Sequence, residues 1–187
     1  SSFEGKKGHS LNVLALAGTK LDEVMIVGLG KPGDITELEM QRLGGRIYAG
    51  TKQAKKGSVT VAVDAVTDAK ITAADIATEI AYGAKLRSYR FDKYRTKLKP
   101  AEKPNIKSLT LQCAGFANAR KKYASLGKVA DGVFFTRDLV SEPGNVIYPD
   151  TLAKQAKTLE KLGVKVQILG EAQMKRLGMG ALLGVGQ

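Results

Sequence analysis

The chain has 187 residues, 43% of them hydrophobic, and carries 30 lysines and arginines against 18 acids, for a formal net charge of +12. Its longest apolar runs, residues 11–17 and 24–27, fall far short of the roughly 20 residues that a membrane helix needs, so no bilayer crossing and no membrane partner is expected. With one cysteine, Cys113, and one histidine, His9, the chain can form neither an intramolecular disulfide nor a Cys/His zinc cluster. An imidazole-based triad is not expected either, because the lone His9 sits so close to a terminus.

That cysteine usage fits a reducing cytoplasm. The opening Ser1-Ser2-Phe3-Glu4-Gly5-Lys6-Lys7 has no Met and no apolar signal core, which points to a trimmed or processed end rather than an export signal.

Residues 11–17 and 23–28 are apolar runs bounded by Gly18-Thr19-Lys20 and Gly28-Leu29-Gly30, the pattern of two short buried strands. Ile35, Leu38, Leu43 and Ile47 then recur at helical spacing. Thr36 or Asp34 is available as a cap, and Glu37 and Glu39 sit in the first turn, so a helix is expected near 35–54. Ser58-Val59-Thr60-Val61-Ala62-Val63 is a β-branched run of strand length. A second helix starts near Thr72 with a small-residue face (Ala74, Ala77, Ala81, Ala84) suited to close packing, and frays before Pro100. Residues 97–107, with Pro100 and Pro104, form a solvated loop.

Further on, residues 108–114 read as a strand and 116–140 as a long helix, ended by Pro143-Gly144-Asn145. Pro149 suits a first helical turn, so a helix is expected over 150–162, stopped by Gly163. Residues 164–169 read as a strand and 171–177 as a short helix. Alternating strands and helices imply an α/β fold whose largely parallel or mixed sheet is covered by helices. The composition turns from basic to balanced after the long helix, which places a domain cut near 120–140.

Three features could carry function. Gly28-Leu29-Gly30-Lys31-Pro32-Gly33 matches the G-x-G-x-x-G dinucleotide pattern between a strand and a helix. The first acid closing the next strand, Asp64, is 31 residues beyond Gly33, where the fingerprint wants about 20, and Pro32 removes an amide from the loop. A tight turn explains the motif better than a cofactor site.

Between Lys85 and Lys128, thirteen basic residues face only Asp92 and Glu102. Aromatics interleave with cations in Tyr89-Arg90-Phe91-Asp92-Lys93-Tyr94-Arg95, so Arg90, Lys93, Arg95, Lys97, Lys121 and Lys122 are the candidates for nucleic-acid contacts. A solvated face whose aromatics anchor a loop is the simpler alternative. The acid pairs Asp64/Asp68 and Asp138/Glu142 lack the further neighbours that a two-metal site demands.

Thr136-Arg137-Asp138-Leu139-Val140-Ser141-Glu142-Pro143-Gly144-Asn145 resembles the R-D-L-V-N-E-P-x-N segment of the leucyl (cytosol) aminopeptidase family. Gly178-Met179-Gly180-Ala181-Leu182-Leu183-Gly184-Val185-Gly186-Gln187 resembles that family's next segment, at the family's separation. Val24-Met25-Ile26-Val27-Gly28-Leu29-Gly30-Lys31 and residues 88–97 resemble motifs of its N-terminal domain, so the likeness covers essentially the whole chain. Two departures are visible: Ser141 stands where Asn is usual, and Tyr148 where a Thr would cap the next helix.

The resemblance implies the N-terminal part of a hexameric, cytoplasmic exopeptidase that removes N-terminal residues, often Leu. In that family two divalent ions, manganese or zinc, bridge the attacking water. The ligands lie in G-x-x-F-D-S-G-G and N-T-D-A-E-G-R segments, neither of which occurs here. No catalytic, metal or cofactor-binding residue is therefore assigned to this chain, which should bind no metal and be inactive by itself.

The implied organisation is a macro-domain-like N-terminal sheet flanked by helices over 1–118 and a linking helix over 119–141. The first helix–strand unit of the peptidase domain then follows over 142–187, with further strand and helix expected before the F-x-G-K-x-G region at residues 3–8. Alternative roles for the N-terminal domain are binding a nucleic acid or nucleotide, or shaping the hexamer.

Overall fold

The computed structural model describes residues 3–14, 17–54 and 57–185. Two compact units divide at Phe134/Phe135, and each is described by itself.

The first unit begins with an antiparallel hairpin, β1 (Ser10–Leu14) and β2 (Glu23–Val27), in register from Ser10↔Val27 to Leu14↔Glu23. The first strand ends earlier than residue 17: Ala17 lies in a turn, and residues 15 and 16 fall outside the described set. Helix α1 (Glu37–Thr51) starts at Thr36, whose hydroxyl accepts the Glu39 amide at 3.4 Å, with Glu37 and Glu39 facing the positive end of the helix dipole. Strand β3 (Ser58–Val63) follows, then helix α2 (Ala73–Ser88), strand β4 (Ser108–Cys113) and helix α3 (Phe116–Ser141), which runs on into the second unit.

β3 and β4 pair in parallel, Ser58↔Ser108 through Val63↔Cys113. A parallel pair needs a long crossover, and α2 supplies it. Among the described residues the strands form two separate two-stranded sheets, β1–β2 and β3–β4, rather than one sheet. The mixed α/β class stands.

The core sits where α1 and α2 cross. Met40, Leu43 and Ile47 from α1 meet Ile76, Ala77 and Ile80 from α2, each at most 4% exposed, with Ile35 and Val63 beside them. Burying each large side chain contributes about 1.5–3 kcal/mol. Glycines set how close the helices come: a Cβ on Gly44 would collide with the Ile80 carbonyl oxygen, and one on Gly83 with that of Gln41.

The second unit holds the end of α3 and three short helices, α4 (Pro149–Lys157), α5 (Glu171–Arg176) and α6 (Gly180–Val185). α4 stops at Lys157 and the expected helix continues to Leu162 as a 3-10 turn. Gly163 closes it at φ 84°, its N–H donating to Glu160 O at 3.0 Å while the Val164 N–H reaches Leu159 O at 3.4 Å, the Schellman pattern that a left-handed glycine permits. Residues 164–169, expected as a strand, form no strand. Strand structure needs a neighbour to take its N–H and C=O groups, and among the described residues none lies alongside; Val164 and Ile168 are nearly half exposed. In this unit no described residue is buried.

Candidate functional site

The glycine motif at Gly28 is built as a turn. Gly28 N–H donates to His9 O at 2.8 Å and Gly30 N–H to Gly5 O at 3.1 Å, so the backbone donors that would cradle a phosphate already hold the 5–9 segment. Gly30 adopts φ 80°, open to glycine at little cost. A side chain at Gly28 would strike the Lys6 carbonyl oxygen. The Asp34 carboxylate folds back to accept the Lys31 N–H at 3.2 Å, which completes the turn before α1.

The cation-rich stretch after α2 is likewise self-contained. Arg90 Nε donates to Asp92 at 2.6 Å and its guanidinium also reaches Glu102 O at 3.0 Å, while Arg95 lies 3.9 Å from Asp92. These contacts, led by the Arg90 hydrogen bond, hold the Asp92 carboxyl below its ordinary value. Lys93 sits 5.4 Å over the Tyr94 ring, Tyr94 packs on Phe91 at 5.8 Å between centroids, and Tyr89 packs on Phe134 of α3 at 5.3 Å. The aromatics therefore fasten the loop to its own unit.

Lys97 is exposed in that loop, and Lys121 is exposed on the first turns of α3. Lys122 forms an ion pair with Asp75 in the first turn of α2. Arg90 follows the C-terminal end of the same helix, whose 16 residues span about 24 Å. The six candidate cations thus divide between opposite ends of α2, and Arg90, Arg95, Lys93 and Lys122 have intramolecular partners.

Two acids on α2 have strongly shaped environments that were not singled out from sequence. Asp75 accepts hydrogen bonds from Lys122, from the Thr72 hydroxyl at 2.6 Å and from the Thr72 N–H at 2.9 Å, while the Thr72 hydroxyl oxygen lies 3.2 Å from the Asp75 N–H. These bonds, Lys122 first, pull its pKa down to about 2. The Thr72-x-x-Asp75 spacing is a capping-box variant readable in the sequence. Glu79 is only 8% exposed; burial pushes its carboxyl above the ordinary value, and the Gln41 amide, donating at 2.7 Å, opposes that rise.

A groove of about 540 Å³ opens between β4, α2 and α3. It is lined by Leu109, Leu111 and Cys113 of β4, Ala77 and Ala81 of α2 and Phe116 of α3, together with Tyr48, Lys107, Arg120 and Tyr123. Lys85, which also lines it, is bound to Asp131 at 2.7 Å and to Gly127 O at 3.1 Å.

Among the described residues no three His, Cys, Asp or Glu side chains converge on a point where a metal could sit. Asp138 lies in the last turn of α3 and Glu142 directly follows the helix, its N–H donating to Asp138 O at 3.1 Å. Tyr148 caps α4 without its side chain; instead Thr151 Oγ1 accepts the Tyr148 N–H at 2.9 Å.

Comparison with known proteins adds what the geometry does not. Residues 1–98 match the family model described as the cytosol aminopeptidase family, N-terminal domain, and residues 134–187 match that family's catalytic domain. A probable cytosol aminopeptidase of Bradyrhizobium sp. is 45% identical over 185 residues, covering 99% of this chain and 36% of that protein. One from Chelativorans sp. is 45% identical, covering all of this chain and 37% of that protein. Among solved structures, a tomato leucine aminopeptidase mutant superposes with a TM-score of 0.75 at 27% identity, over 94% of this chain and 34% of that one. The bottromycin maturation enzyme BotP, at 22% identity and a TM-score of 0.71, shares the fold over 94% of this chain and 36% of that one.

Proposed function

This chain belongs to the cytosol aminopeptidase family, and from that premise we propose that it forms the N-terminal region of a metal-dependent aminopeptidase that removes N-terminal residues, often Leu, from peptides. The observation that carries the reading is order. The N-terminal match ends at residue 98, the catalytic match begins at 134, and both peptidase signatures lie within the second. The chain spans little more than a third of the length of the curated relatives it matches.

Within this reading, residues 1–118 are the N-terminal domain, 119–141 the linking helix and 142–187 the start of the peptidase domain. The division at Phe134/Phe135 and the gap between the two family matches support placing a boundary along α3. The structure bearing on the metal is another protein's: BotP has been solved in complex with manganese. The acids described here do not fit such a centre, because no three of them converge. The two ions belong to ligands beyond residues 1–187, and no step of hydrolysis falls to this chain.

Family membership also carries the expectation of a homo-hexamer working in the cytoplasm, and among the described residues no helix is long and apolar enough to cross a membrane. The nucleic-acid reading of the basic segment is not favoured, since the candidate cations are divided and mostly engaged. Hydrolysis of a leucine anilide with added manganese, by the longer protein and by residues 1–187, tests the proposal.

A further inference from the structure

Helix α3 lies along α2 without joining the core. Among the described residues the core cluster takes nothing from α3, and only Gly127 and Ala130 of its 26 residues are buried. Residues of that size remove little apolar surface from water, so apolar burial holds α3 weakly.

Polar contacts hold it instead, in two groups. Near the start of α2, Lys122 pairs with Asp75, and the Thr78 hydroxyl donates to Ala119 O at 3.3 Å. Near its end, Lys85 donates to Asp131 at 2.7 Å and to Gly127 O at 3.1 Å, and the Tyr89 and Phe134 rings meet at 5.3 Å. At a helical rise of about 1.5 Å per residue, Asp75 and Lys85 stand about 15 Å apart along α2, and Lys122 and Asp131 about 14 Å apart along α3. Both ion pairs therefore close together when the two helices run parallel. Their polarity is opposite: acid then base along α2, base then acid along α3. Reversed, α3 would set Asp131 against Asp75 and Lys122 against Lys85, like charge on like. Lys122 and Asp131 are each more than half exposed, so water and salt weaken both pairs.

We propose that the first half of α3 is a strap. Two ionic clasps of opposite polarity set it parallel to α2 and in register, and residues 119–134 lift from α2 while the α1–α2 core stays folded. The clasps are weak enough to open and specific enough to close in one arrangement only. The strap is also the element that crosses the division at Phe134/Phe135, so its release frees the path between the two units. The proposal is independent of the peptidase reading.

Hydrogen exchange on the full-length protein tests it, comparing amides 119–134 with core amides 40–47 and 76–84. A lifted helix is marginal in water and loses its protection, so the α3 amides should exchange at least about tenfold faster than the core. Lys85→Glu should speed the α3 amides by about a further fivefold, the size that an exposed ion pair commands, and leave the core rate unchanged. Adding Asp131→Lys should slow them again by at least about twofold, because the clasp re-forms with its charges exchanged. Raising NaCl from about 0.05 to 1 M should likewise speed α3 relative to the core of the unmodified protein, and this arm decides if Lys85→Glu does not fold. A single common rate for α3 and the core overturns the proposal. So does a double variant no slower than Lys85→Glu, or an α3-to-core ratio that salt does not move.

Discussion

Gly44 of α1 and Gly83 of α2 are reciprocal contact points: a methyl on either would enter the backbone carbonyl of the opposite helix, at Ile80 and Gln41 respectively. The helix pair that forms the core therefore depends on two positions without side chains. In an exposed helix, Gly→Ala stabilises by up to about 1 kcal/mol. Here the sign reverses, because backbone cannot swing aside as a flexible side chain can. Gly44→Ala and Gly83→Ala should each destabilise the first unit by about 3 kcal/mol, measured as a drop in the urea midpoint followed by circular dichroism. Gly132 of α3 has open space around it, and Gly132→Ala serves as the control that should not lower the midpoint.

Periodicity captured these helices but not their contact. Residues 35–54 were readable as a helix because Ile35, Leu43 and Ile47 recur at its spacing and Thr36 caps it, and the structure sets α1 at Glu37–Thr51. β3, β4 and the long α3 were readable for the same local reasons. The strand expected at 164–169 was not a local property, since a strand exists only with a neighbour along it. The ion pair of Asp75 with Lys122 joins residues 47 apart in sequence, which no spacing rule predicts. Family identity was readable from short motifs, whereas the groove along β4 emerges only when β4, α2 and α3 are brought together.

Asp75 should give the unit an acid-sensitive element. Its pKa falls from 3.8 to about 2 on folding, so its stabilisation is fully present above 3.8 and is lost as the pH drops toward 2. Asp75→Asn should cost about 1 kcal/mol at pH 7 through the weakened cap and flatten the stability profile between pH 4 and about 2. Urea midpoints of the two proteins across that range measure this directly.

Glu79 should behave oppositely. Its folded-state pKa is raised, chiefly by burial, with Glu37 and Asp75 adding to the rise and Gln41 and Lys122 opposing it. Its contribution is therefore most favourable below the ordinary carboxyl value and declines as the pH rises through the folded value. Glu79→Gln, which can still accept from Gln41 through its carbonyl oxygen, should raise the urea midpoint at pH 7, and the gain should disappear below pH 4. A midpoint that falls at pH 7 would mean that the charged Glu79–Gln41 bond outweighs the burial penalty.

On the proposed reading, the parent protein's peptidase chemistry lies outside residues 1–187. Leucine anilide hydrolysis with added manganese, run on the full-length protein and on residues 1–187 at equal molar concentration, tests it most directly. Turnover by the full-length protein and none above background by residues 1–187 is the predicted result; turnover by residues 1–187, or an inert full-length protein, contradicts it.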